Sequence, residues 1–382
     1  MLEARSNLNW QHVLKIRLLK PRNKFYNTIA IMKNTTLVCS ALFVLLSLSC
    51  SAQVPVKEIR FPNGKICLLL DSVAAGKAIT YDVRDAYFEK VNSSEMSIQM
   101  HQAIAAGQTR ESLLPSYLEY LKKDVEGFSA EDSKFIEGVM EKVFKTVQGV
   151  SPDIFPDTLK LIKTKGRHYG DGVWYTRENC IIIPADELGR RKTNPFTTTM
   201  YHELFHVWSR LNPAKSDRAY QLIGFEGLGF HNLILPPGLA ARALYNPDGV
   251  DFAQKIALAQ TDGSTIYAIP IIYSNHLGWT DEQKTFFAYL EFNLFQIEKQ
   301  ADNKWKVVVK EDGYSSTLNI QGQPDFFRQI KDNTGYIIHP DEVLADNFAF
   351  IMQERNGQKV SLKFSAEGKQ LMVALEEVLK GK

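Results

Sequence analysis

The stretch TTTMYHELFHVWSR, Thr197 to Arg210, places His202 and His206 four residues apart with Glu203 beside the first. A chain of this length and composition carries H-E-x-x-H by accident about once in a hundred. Just upstream, Asn194 is a natural N-cap and Pro195 suits the first helical position, where a missing N–H does no harm. Asn212-Pro213 stops the pattern, so the spacing predicts a helix ending near Leu211. Positions i and i+4 stand on one helical face about 6 Å apart, which lets both imidazoles reach one tetrahedral zinc ion. Glu203 lies roughly 100° around the helix, beside such an ion without being needed as a ligand.

A catalytic zinc takes three protein ligands and keeps one position open. Extension to H-E-x-x-H-x-x-G-x-x-H fails, because Ser209 and Asn212 occupy the glycine and third-histidine positions. The alternative is a glutamate on a later helix with an acid four residues on. Glu298 and Asp302 have that spacing but fall in a strand-and-turn pattern, whereas Glu342 and Asp346 fall in HPDEVLADNFAFIMQERNG. That helix has Pro340 at its first position, acids in its first turn and Gly357 at its end. Val343, Leu344, Phe348, Phe350 and Ile351 make it strongly apolar, and two acids on such a helix need partners. Glu342 as third zinc ligand and Asp346 behind a zinc-bound imidazole satisfy both. Asp262, Glu226, His231, His276 and His339 are the other candidate ligands, His339 the best of them because it immediately precedes the same helix.

The stretches YHELFH and EVLADNFAFIM resemble the gluzincins, the thermolysin-like zinc metallopeptidases in the broad sense. The second, with Tyr336 six residues before Glu342, is most similar to the catalytic domain of the anthrax lethal factor type. The resemblance implies an α+β, zincin-like catalytic domain with a mixed sheet. It also implies zinc on His202, His206 and Glu342, with Glu203 as general base and Tyr336 as oxyanion donor. Tyr267, Tyr273 and His276 are weaker candidates for that last role.

The rest of the chain fits around this. With 382 residues, 45% hydrophobic and 23% charged, the composition is that of a globular protein. A net charge of +2 without a dense Lys/Arg block excludes nucleic acid as an expected partner. Met32-Lys33-Asn34, the apolar run Leu37 to Leu48 and SCSAQ describe a bacterial export signal, with Met32 as the expected true start of the 1–52 signal region. Cleavage after Ala52 and lipidation of Cys50 are the two readings. Ser47, three residues before Cys50 where lipoproteins usually carry a larger apolar residue, favours cleavage. The product is expected in the periplasm, in the medium or on the outer membrane, touching membrane only through a lipid on Cys50. Cys67 and Cys180 then remain, either paired or free and buried.

KICLLLD reads as a strand, followed by helical patterns near 96–107, 111–125 and 130–149, giving a mostly helical part over 53–150. Leu159 to Lys163 and the hairpin GVWYTRENCIII open a catalytic part over 151–382, in which Cys180 to Ile183 offers an edge to an extended peptide. Alternating runs between Gly263 and about Lys310 predict an antiparallel β insertion before the Glu342 helix. Helices near 324–332 and 366–380 follow. The expected function is an exported zinc peptidase acting on a peptide or protein. A zinc amidase of cell-wall material and a non-catalytic binding protein on a zincin scaffold are the alternatives, and retention of Glu203 argues against the last.

Overall fold

The computed structural model describes residues 57–228 and 232–382. The export segment with Met32 and Cys50 lies outside the described residues, as does His231. Within them the chain is mixed α+β, built on two six-stranded sheets. No helix among the described residues is long and apolar enough to cross a membrane.

The first sheet runs β1 (Lys57–Arg60), β2 (Ile66–Leu69), β4 (Thr158–Thr164), β6 (Cys180–Pro184), β5 (Tyr175–Arg177), with the short β3 (Val125–Glu126) paired to the end of β4. β2–β4 and β4–β6 are parallel and the other pairs antiparallel. β6 is CIIIP, buried at every position, as expected of an inner strand covered on both faces. Its alternation divides the core. Ile181 and Ile183 join Leu159 and Leu161 on one face, while Cys180 and Ile182 join Ile162 on the other. The second face is covered by α1 (Ser72–Ile79), α2 (Ser93–Met100) and α3 (Arg110–Asp124). The first carries α4 (Ala130–Gln148) and α6 (Thr193–Leu211). β1 and β2 thus tie the helical 53–150 part into the same sheet as β4 and β6.

Three sequence expectations are corrected here, and the two readings of the cysteines are decided. The 96–107 helix is displaced to Ser93–Met100, because the Asn92 side chain accepts from Glu95 N–H at its start and His101 adopts a left-handed conformation at its end. Cys180 to Ile183 is flanked by β4 and β5 and offers no free edge; the edge strand is β5. Cys67 and Cys180 are both free and buried, on opposite faces of the sheet. The β insertion is larger than 263–310. It runs β7 (Phe225–Gly227), β9 (Gln254–Ala259), β10 (Thr265–Ser274), β11 (Leu290–Lys299), β12 (Trp305–Val307), β8 (Leu233–Ile234), antiparallel except for β12–β8.

The motif helix α6 begins at Thr193, capped by Lys192 without a side-chain bond, rather than at Pro195. The short helix α5 (Ala185–Arg190) ends at a left-handed Arg191, and the chain re-enters helix at once. Pro195 still falls in the first turn, where N–H groups have no helical partner. Pro213 opens α7 (Pro213–Gln221), and α8 (Pro324–Ile330) follows the second sheet. Then comes α9 (Pro340–Arg355), buried from Pro340 through Ala349, and α10 (Ala366–Leu379) closes the chain. α9 packs along α6 in the opposite sense, His206 facing Asp341 and His202 facing Asp346. Phe205 and Phe348 meet between them with ring centroids 5.6 Å apart. Each such fully buried ring contributes about 2–3 kcal/mol, so the two motif helices are held by packing independently of any ligand.

Candidate metal centre

α6 and α9 bring His202, His206 and Glu342 together, with one ligand atom from each within 4.8 Å of the others. His202 Nε2 is 3.0 Å from Glu342 Oε2, and His206 Nε2 is 3.5 Å from the same oxygen without forming a hydrogen bond. The far nitrogen of each ring is tied to a carboxylate. His202 Nδ1 bonds Asp346 Oδ1 at 2.9 Å, and His206 Nδ1 bonds Asp341 Oδ2 at 2.6 Å. These bonds fix ring orientation and leave both Nε2 atoms turned toward Glu342. Asp346 in turn accepts from Thr334 Oγ1 at 2.5 Å, and Asp341 accepts from Tyr220 Oη at 2.7 Å and Ser209 Oγ at 3.0 Å. Asn246 Nδ2 donates to the other Glu342 oxygen at 2.7 Å.

Glu203 is buried beside this trio, and its Oε2 has no hydrogen-bond partner. A second group, Glu203, His206 and Asp248, also converges within 4.8 Å. Tyr336 stacks near His202, ring centroids 6.1 Å apart and planes 26° from parallel.

The other candidates do different work. His339 caps α9, its Nδ1 accepting from Asp341 N–H at 3.1 Å. Glu226 pairs with Lys255 on the second sheet, and Asp262 closes the turn at Ser264. Glu298 lies on β11 and Asp302 in the turn after it, so their four-residue spacing is not helical. Tyr267 packs on Trp305, Tyr273 on Phe295 and Tyr314, and His276 bonds Asn275.

Charge in the site is unbalanced. Glu203, Asp248, Asp341, Glu342 and Asp346 surround two imidazoles. Burial pulls the His202 pKa down, but Asp346 and Glu342 more than compensate and hold it up at about 9. Burial likewise works against the His206 imidazolium and is overcome by Glu342, Asp248 and Asp341. Glu342 is lowered despite its burial, chiefly by His206 and His202. Glu203 is pushed up to about 8 by burial first and by Asp248 second, and burial raises Asp248 too. Buried carboxylates in excess call for a cation. The His202 and His206 nitrogens and a Glu342 oxygen could hold a metal ion, and the buried His206 Nε2 and Glu203 Oε2 beside them have no hydrogen-bond partner.

Sequence reasoning missed Asp341, Asn246 and Asp248. Asp341 was visible only as a first-turn acid, and the other two sit in YNPDGV, which signals a turn and nothing more. Compared with protein-family models, curated proteins and solved structures, the chain matches none.

Proposed function

We propose that the protein is an exported, zincin-like peptidase holding zinc on His202, His206 and Glu342. The observation that carries this reading is the convergence of those three buried ligands beside an unpartnered Glu203 oxygen. Zinc bound there supplies Lewis acidity, polarising a carbonyl and lowering the pKa of water. Glu203 is placed to take a proton from water and return it to the leaving amine. Asp346 and Asp341 hold the two imidazoles in one tautomer throughout. Asn246 orients Glu342 through its second oxygen. Tyr336, beside His202, is the proposed donor to the developing oxyanion.

The test is metal content followed by turnover of a peptide library, on protein from residue 53 onward. About one zinc per chain is expected, lost on chelation together with turnover. Glu342→Ala should weaken zinc binding. Full zinc content in a His202→Ala, His206→Ala double variant overturns the reading.

A further inference from the structure

The loop Leu244–Val250 lies across the proposed centre and is tied down at every step. Leu244 N–H donates to Ile272 O on β10 at 2.9 Å, and Tyr245 N–H donates to Glu95 Oε2 at 2.9 Å. Asn246 bonds Glu342, and Arg210 Nη2 donates to Pro247 O at 3.1 Å. Asn246-Pro247-Asp248-Gly249 forms a turn closed by Gly249 N–H to Asn246 O at 3.1 Å. A Cβ at Gly249 would stand 2.4 Å from the His339 ring, so the turn backbone lies directly on the cap of α9. Val250 then enters the apolar cluster containing Ile338.

The tip of this turn bridges the sheet edge and the ligands. Asp248 Oδ1 accepts from Thr176 N–H at 2.6 Å and from Thr176 Oγ1 at 2.7 Å. Thr176 is the middle residue of the edge strand β5 and pairs opposite Ile181. Its N–H is therefore the donor that an added strand would use. The same Asp248 carboxylate lies within 4.8 Å of Glu203 and His206. One side chain thus takes both the edge donor and the approach to the ligands.

We propose that Tyr245–Gly249 is a built-in plug of the substrate cleft, which fills the β5 edge against an extended peptide and sets the Asp248 carboxylate beside Glu203 and His206, where it would compete with substrate for a metal held there. This rests on the metal reading above. Opening releases the contacts of Tyr245 through Gly249, while Leu244 and Val250 stay anchored at either end. In the closed form a ligand binds in proportion to the open fraction.

The test uses cobalt(II) in place of zinc, titrated with acetohydroxamate as a small metal-binding probe, the visible absorption reporting the metal's ligands. Asp248→Asn keeps an oxygen for Thr176 and removes the charged ligand; Gly249→Ala sets a Cβ against the His339 ring and so lifts the turn, leaving Asp248 and every proposed ligand side chain unchanged. Expected are an altered cobalt spectrum in Asp248→Asn and probe binding tightened about tenfold or more in both variants. An unchanged spectrum and an unchanged probe affinity, with cobalt still held through His202 and His206, overturn the plug alone. Cobalt binding that is absent, or indifferent to loss of both histidines, overturns the metal reading and the plug with it. Thermal melts of the metal-free proteins identify a variant that is unfolded, and the other of the two then carries the comparison.

Discussion

The most discriminating perturbation is Asp341→Asn. Asp341 is 1% exposed and its carboxylate takes three bonds, from His206 Nδ1, Ser209 Oγ and Tyr220 Oη. Asparagine conserves the shape. Its oxygen can keep His206 and Ser209, and its amide can face the tyrosine oxygen, which accepts. Lost is the negative charge behind a proposed ligand imidazole, a charge that raises ligand basicity and fixes the tautomer. Losses of this kind cost about 10–100-fold in metal affinity, or about 1.4–2.7 kcal/mol. Asp341→Ala would instead strand two buried donors, His206 Nδ1 and Tyr220 Oη, at about 1–3 kcal/mol each, and confound affinity with folding. The assay is zinc competition against a chromophoric chelator on Asp341→Asn, with Asp346→Asn as the matched change behind His202. Comparable weakening in both is expected. An Asp341→Asn protein that binds zinc as tightly as the parent would refute the assignment of His206 as a ligand oriented by Asp341.

Glu203→Gln is expected to keep zinc and fold while losing turnover about 10²–10⁴-fold; peptide hydrolysis at the parental rate would remove Glu203 from the chemistry. Glu95, far from the ligands in sequence, gives a pH dependence. Burial raises its carboxyl from 4.5 to about 7, against hydrogen bonds from Tyr245, Tyr87 and Gln99 and the charge of Arg177, with Tyr117 and Tyr169 also facing it. Below the unfolded pKa both states are protonated and nothing is lost. As pH rises from about 4.5 to about 7 the unfolded chain ionises first, so stability falls by about 3 kcal/mol and then levels. Urea unfolding in the presence of a chelator should show Glu95→Gln lacking that decline; identical pH slopes would contradict it.

How much of this was legible follows from where each partner lies. α4, α6, α9 and α10 announce themselves through apolar spacing and local end signals, and their observed bounds lie within a few residues of those expected. β7 and β8 are three and two residues long and exist only by virtue of their pairing partners, so no local pattern marks them. The edge strand was misplaced for the same reason. β6 is the more hydrophobic arm of its hairpin, but that apolarity comes from being covered on both faces between β4 and β5.

The two acids behind the histidines show the limit most clearly. Glu342 and Asp346 are four apart on α9 and share a face, so one reading of helical phase yields both. Asp341 sits about 100° from Glu342, and its partner His206 is 135 residues away. A first-turn acid also has a sufficient local explanation in the helix dipole, so nothing in the sequence demanded a second one. The geometry of two crossing helices supplies the demand. His202 and His206 stand one turn apart on α6 and turn their Nε2 atoms toward a single glutamate on α9. Their Nδ1 atoms must then diverge along α9, one reaching past Glu342 toward the helix start and the other toward its next turn. Acids at 341 and 346 meet them there. A pair of ligands on one helix and a single ligand on an antiparallel neighbour therefore predict two flanking acids, one on each side of the shared glutamate.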